Sequence, residues 1–274
     1  MATPAKVITI TSGKGGVGKT HIAVNLGLAL TQKGHKVLIL DADLGLANVN
    51  ILFGFKAQNN IADVLKGVVG IQNIVVSLPS GVDVIPSSSG VADIVNLNSS
   101  DRYRLLSAIQ ELCYQYDYMI VDTATGIGDS VIYFNMAAEE NIIVVTPEST
   151  SIADAYALIK VLHQNSKAQE FSILVNKNPE NADGRLTYAK LAKITDRFLD
   201  VRLRYLGSIA NDEVVDESLK RQMPYTELFP TARASLDIQK VARKINDNAG
   251  DRVPHGGIQF FFKEMLLNEK LGKQ

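Results

Sequence analysis

A chain of 274 residues with 46% hydrophobic side chains can fill one sizeable core, and a formal net charge of −1 gives no overall field to pull it to nucleic acid or an anionic membrane. One cysteine excludes a disulfide framework and a Cys/His metal cluster, which fits a reducing cytoplasm. No run of eighteen apolar residues is present to cross a membrane, and the first residues lack a signal-peptide core.

The β-rich run Val7–Thr11 predicts a strand. It leads into Gly13-Lys14-Gly15-Gly16-Val17-Gly18-Lys19-Thr20, which fits the phosphate-loop pattern G-x-x-x-x-G-K-[ST]. Glycines let such a loop turn its backbone N–H groups onto phosphates without a Cβ in the way. Lys19 is expected to reach the β- and γ-phosphates, and the Thr20 hydroxyl to sit on Mg²⁺. His21 follows, then Ile22, Leu26, Ala29 and Leu30 at helical spacing. The helix start adds its positive dipole end. The expected nucleotide contacts are therefore Gly13, Lys14, Gly15, Gly16, Val17, Gly18, Lys19, Thr20 and His21.

Lys33-Gly34-His35 stops the helix, and Val37–Leu40 reads as a strand buried on both faces. It ends in Asp41-Ala42-Asp43-Leu44-Gly45, where open α/β sheets bind ligands. The alternative for Asp41 and Asp43 is a solvated turn carboxylate. Ile61–Lys66 predicts a short helix, Val82–Pro86 a strand and Ser87–Gly90 a loop. Arg102–Tyr116 is amphipathic, with Leu105, Leu106, Ile109 and Leu112 on one face and Cys113 as apolar filler. Tyr118–Asp122 is an apolar strand ending in a carboxylate, an expensive place for an unpaired charge. With Thr123–Gly128 it supplies the second element a phosphate-loop protein needs: an acid beside Mg²⁺ and a glycine near the γ-phosphate.

Strands at Asn141–Thr146, Phe171–Asn176 and Tyr205–Ile209 alternate with helices at Ile152–Leu162, Leu186–Leu199, Val214–Arg221 and Ser235–Asn246. The alternation predicts an α/β fold with one doubly wound, mostly parallel sheet and helices on both faces, spanning residues 1–250. Asn176 ends its strand where such folds place base recognition; the alternative is a turn-starting asparagine. Ile209–Asp212 is expected to close over the base from the other side. Lys190, Lys193 and Arg197 share a helix face that reads as solvated, with an acidic partner or DNA as the alternatives. Residues 251–274 form a hinge at Pro254–Gly257 and an amphipathic helix with Ile258, Phe261, Phe262, Met265 and Leu266 on one face. It reads as a reversible membrane anchor or docking helix, or as a helix packed on the core.

Together these motifs resemble the MinD/ParA family of P-loop ATPases, whose mark is the extra lysine, here Lys14. Within that family the strings at Asp41–Val49, Asp122–Val131, Ser151–Lys160, Leu191–Asp200 and Gly257–Phe261 are similar to the flagellar-number regulators called FlhG or FleN. The resemblance implies a slow, switch-type ATPase using ATP and Mg²⁺. It implies catalytic roles for Asp43, which orients the attacking water, for Lys19, and for Lys14, which reaches a partner's nucleotide across a dimer. Asp41 and Asp122 would hold Mg²⁺ through its waters, with Thr20 as a ligand. The implied partners are a second copy in an ATP-dependent homodimer, a flagellar signal-recognition-type GTPase, an enhancer-binding flagellar transcription activator, and the inner membrane through the C-terminal helix. The expected location is cytoplasmic, reversibly at that membrane. The alternative is a DNA-partitioning or division-site positioning ATPase, but the weak net charge argues against direct DNA binding. His21, Asn50 and Thr125 depart from the family pattern. Some family members carry an N-terminal extension that stimulates a partner GTPase; here only Met1–Ala5 precede the first strand, and the resemblance leaves that activity open.

Overall fold

The computed structural model describes residues 4–43, 48–86, 107–109, 111–166 and 168–247. Its strands are β1 (Lys6–Ser12), β2 (Val37–Ala42), β3 (Val76–Ser77), β4 (Val82–Ile85), β5 (Tyr118–Thr125), β6 (Glu140–Val145), β7 (Glu170–Asn178) and β8 (Arg202–Ala210). They form one sheet in the order β3-β4-β2-β5-β1-β6-β7-β8, antiparallel only between β3 and β4. Every residue of β1, β2 and β6 is buried, as expected of strands covered on both faces, and the polar members of β1 and β6 are buried with the rest.

The helices are α1 (Lys19–Thr31), α2 (Asn48–Phe53), α3 (Ile61–Leu65), α4 (Asp129–Ala137), α5 (Ser149–Ser166), α6 (Gly184–Phe198), α7 (Val214–Arg221), α8 (Tyr225–Leu228) and α9 (Arg233–Asp247). The strand order reverses at β1, which has β5 on one side and β6 on the other. A doubly wound sheet opens a crevice at the carboxyl ends of its strands at such a point, and the phosphate loop leaves β1 there. Register then sets the site: Asp41 on β2 is the direct neighbour of Asp122 on β5, and Ser12 on β1 is the neighbour of Thr125.

The apolar stripe foreseen for α1 is in fact a helix buried all round from Ile22 to Leu30, because α9 covers the side turned away from the sheet. Asn25 tolerates that burial because it is satisfied. Its Nδ2 donates to the His21 carbonyl at 2.8 Å, and its Oδ1 accepts from the Thr226 amide and hydroxyl at 3.0 and 2.9 Å. At the opposite end of the sheet Glu140 accepts from Lys6 at 2.6 Å, from Arg204, and from the Ser172 hydroxyl at 2.8 Å. Burial alone would raise that carboxyl; Lys6, Arg204 and Ser172 together hold it below its ordinary value. The cluster joins four strands and lies away from the crevice, which makes it structural.

The strand expectations all fall on observed strands. Residues 107–109 and 111–113 are helical, with Ile109 and Leu112 buried, while Leu105 and Leu106 lie outside the described residues. Cys113 is buried and contacts the Met119 sulfur at 3.4 Å, as an apolar filler does. The loop at Ser87–Gly90, Leu44–Gly45, and the hinge and helix at residues 251–274 also lie outside the described residues.

Candidate nucleotide site

Gly18 shows why the loop sequence is what it is. Its φ of +94° is open to glycine, and a Cβ there would stand 2.5 Å from Asn176 Nδ2. Gly13 is needed for a different reason: its Cβ would fall 2.2 Å from the Asp154 backbone oxygen, so the loop lies directly against α5. β7 props the loop from the other side. Asn176 Nδ2 donates to the Val17 carbonyl at 2.7 Å and Lys177 Nζ to the Gly16 carbonyl at 2.8 Å. Val17 itself is buried.

The loop opens on a cavity of about 580 Å³, within the size range of nucleotide pockets. Gly15, Gly16, Gly18, Lys19, Thr20 and His21 line one end, with Asp43 and Thr125 beside them. Asn176, Asn211, Asp212, Val215 and Leu219 line the rest. Lys19 is 7% exposed and donates to Thr125 Oγ1 at 2.6 Å and Ser12 Oγ at 3.2 Å. Burial lowers its pKa, while Asp122 and Asp43 pull it back up. An arriving phosphate would add to that pull, so the charged amine is poised for an anion.

Two carboxylates stand at the ends of neighbouring strands behind the loop. Asp41 Oδ1 accepts from the Asp43 amide at 3.2 Å and Oδ2 from the Val49 amide at 3.3 Å. Burial, then the Asp122 charge, pushes Asp41 up to about 8. Burial also pushes Asp122 up to about 7, against the nearby Thr20 hydroxyl and Lys19 ammonium. Asp122 is fully buried, and its two oxygens have little beyond the nearby Thr20 hydroxyl and Lys19 ammonium to compensate them. Carboxylate oxygens so little compensated at that depth call for a cation or its waters. Among the described residues no group of three His, Cys, Asp or Glu side chains is placed to ligate an ion directly. The buried Asp41 and Asp122 carboxylates beside Thr20 and the phosphate loop fit Mg²⁺, which keeps much of its water shell and binds through few protein oxygens plus phosphates. Thr20 would be the direct ligand, Asp41 and Asp122 would hold the metal's waters, and the ion would neutralise developing phosphoryl charge.

The remaining expected residues divide. Lys14 is outside the cavity, 35% exposed in its side chain, and donates to Glu148 and to Thr150 Oγ1 at 2.9 Å on its own chain. His21 lines the cavity with its Nδ1 buried and unpartnered. Burial lowers its pKa to about 4, with Asp216 opposing and Lys177 assisting, so the ring is neutral at pH 7. Asp212 borders the cavity, but its carboxylate is taken by the Val214 amide at 3.2 Å and the Ala234 amide at 3.1 Å, the starts of α7 and α9. Ser12, Thr125, Lys177, Glu148 and Thr150 were not foreseen as site residues. Thr125 alone left a trace, as a departure from the family pattern.

Phosphoryl transfer asks for positioning and charge stabilisation more than covalent chemistry, and a triphosphate held beside Lys19, Asp43 and the Asp41 and Asp122 carboxylates would meet both. Comparison with known proteins agrees. The family model described as "AAA domain" matches residues 5–174. The chain is 42% identical over 269 residues to the "Antiactivator FleN" of Pseudomonas aeruginosa, covering 98% of this chain and 96% of that one. It is 34% identical over 266 residues to the "Flagellum site-determining protein YlxH" of Helicobacter pylori, covering 95% and 90% respectively. The solved "MinC:MinD cell division protein complex" of Aquifex aeolicus superposes with a TM-score of 0.73 at 29% identity, over 91% of this chain and 98% of that one. The chain belongs to the MinD/ParA family of P-loop ATPases, which hydrolyse ATP with Mg²⁺.

Proposed function

We propose that this ATPase is a nucleotide-switched regulator of flagellar number. ATP closes a homodimer, the dimer engages partners and the inner membrane, and slow hydrolysis releases them. The observation that carries the reading is the position of Lys14. It sits in the loop yet outside the lining of its own cavity, about a third exposed, against Glu148 and Thr150. A cation placed there is available to a second copy's triphosphate, and two facing triphosphates would repel without it. ADP presents less charge to neutralise, so the dimer is ATP-specific, a population shift set by differential affinity. The similarity to the relative named as a flagellum site-determining protein supports the flagellar assignment. By the same resemblance the partners are a signal-recognition-type GTPase and an enhancer-binding activator.

Size-exclusion chromatography with ATP, ADP or no nucleotide tests the switch. The expected result is a dimer with ATP alone, longer-lived in Asp43→Ala because the water-orienting carboxylate is gone. A monomer under all three conditions ends the proposal. For the membrane, none of the helices among the described residues is long and apolar enough to cross a bilayer. Binding would fall to residues 251–274 as a surface helix. Removing Ile258–Gln274 should abolish ATP-dependent co-sedimentation with liposomes while the melting temperature of the ATPase domain stays within a few degrees; equal sedimentation with and without the segment would rule the anchor out.

A further inference from the structure

Polar groups line the cavity beyond the phosphate loop: Asn176, whose Nδ2 donates to the Val17 carbonyl, Asn211, and Asp212, whose oxygens accept from two helix starts. The same cavity also has apolar lining. Ile51 on α2 and Leu219 on α7 both line it, yet remain 47% and 45% exposed. Large aliphatic side chains left half in water at the rim of a ligand cavity are unspent contact surface. The two helices are neighbours: a Cβ on Gly54, just past α2, would stand 3.3 Å from the Gln222 carbonyl oxygen, just past α7.

We infer that Ile51 and Leu219 are the nucleoside-positioning residues of this ATPase, two apolar lips that close on the purine ring from α2 and α7. The inference rests on the reading of the cavity as the ATP site. It also gives α2 a second task. The first turn of α2 donates the Val49 amide to Asp41, one of the metal-side carboxylates, at 3.3 Å. Ile51 is two residues further on. One short helix therefore touches the nucleoside end of the ligand and the carboxylate at its metal end. Aliphatic lips grip any flat ring, so they supply affinity for the base and leave the choice between adenine and guanine to other groups.

Calorimetric titration of Mg-ADP into wild type, Ile51→Ala, Leu219→Ala and Ile51→Leu tests it. Each alanine variant should bind about tenfold more weakly, and Ile51→Leu should stay within about twofold of wild type. The nucleotide-free melting temperatures should agree within a few degrees, since both positions are half in water. Photolysis of bound 2-azido-ADP, followed by peptide mapping, should place the label on residues 48–56 or 214–222. Alanine variants that bind like wild type, or a label confined to other segments, would overturn the lips while leaving the ATP site standing. Absence of binding by wild type would instead remove the ATP-site reading and the lips with it.

Discussion

Asp122→Asn should make the nucleotide-free protein more stable at pH 8 and, at the same time, abolish Mg²⁺-dependent hydrolysis. Asp122 is fully buried, and the Thr20 hydroxyl and Lys19 ammonium offset only part of its desolvation, so an ionised carboxylate there is a cost to the empty fold. Burial raises its pKa to about 7, and burial with the Asp122 charge raises Asp41 to about 8. The unfolded chain titrates both near 4. Between those limits the folded state therefore holds more protons than the unfolded one, and stability falls as pH rises. The nucleotide-free wild type is expected to melt highest near pH 5 and to lose stability, on the order of a few kcal/mol, by pH 8. An amide cannot ionise, so the variant should lose much of that slope. Added Mg²⁺ with ADP should raise the melting temperature of wild type at pH 8 far more than that of the variant. Turnover should fall by at least about 10²-fold, since a preorganised charge at the reacting phosphates is gone. Thermal melts at pH 5, 6, 7 and 8 decide it: parallel curves for wild type and variant would mean that Asp122 is not a stored charge.

How much of this could be read in advance depended on distance along the chain. The phosphate loop is eight consecutive residues, and its backbone demands are local, so the string announces it. The strands carrying Asp41 and Asp122 each open with a four-residue apolar run followed by a carboxylate, again a local pattern. Their adjacency is a matter of register, and no short string records it. Lys14 and Glu148 are 134 residues apart in sequence, and Lys19 and Thr125 are 106 apart. Such pairs exist only because β1, β5 and β6 lie side by side. Asn176 and Asp212 both line the cavity, but part of their hydrogen-bonding capacity is drawn to the Val17 carbonyl and to two helix starts. Type and position alone do not reveal that competition. α4 went unread because Asp129–Ala137 is rich in aromatic and β-branched residues that favour strands. Tertiary contacts hold it, among them Thr9 Oγ1 donating to Asn135 Oδ1 at 2.9 Å.

The two lysines of the loop separate binding from switching, and replacing each by alanine should show it. Lys19 is buried among Ser12 and Thr125, with Asp122 and Asp43 close enough to pull on its proton. Lys19→Ala leaves those carboxylates facing the triphosphate with no intervening cation. Affinity for ATP should fall at least about 10²-fold, the scale of losing a buried charge-assisted contact, and hydrolysis should vanish with it. Lys14 stands outside the cavity on Glu148 and Thr150. Lys14→Ala should therefore leave Mg-ADP affinity in the monomer within about threefold of wild type. Turnover should nonetheless drop about 10³-fold or more, as it does when a cation supplied in trans is withheld from phosphoryl transfer, and the ATP-dependent dimer should disappear from size-exclusion profiles. Calorimetry and phosphate-release assays on the two variants give the contrast directly. If Lys14→Ala loses Mg-ADP affinity as steeply as Lys19→Ala, the extra lysine serves its own cavity and the switch needs another source of charge. If Lys14→Ala keeps both dimer and turnover, its place on Glu148 and Thr150 is a surface contact with no part in the reaction.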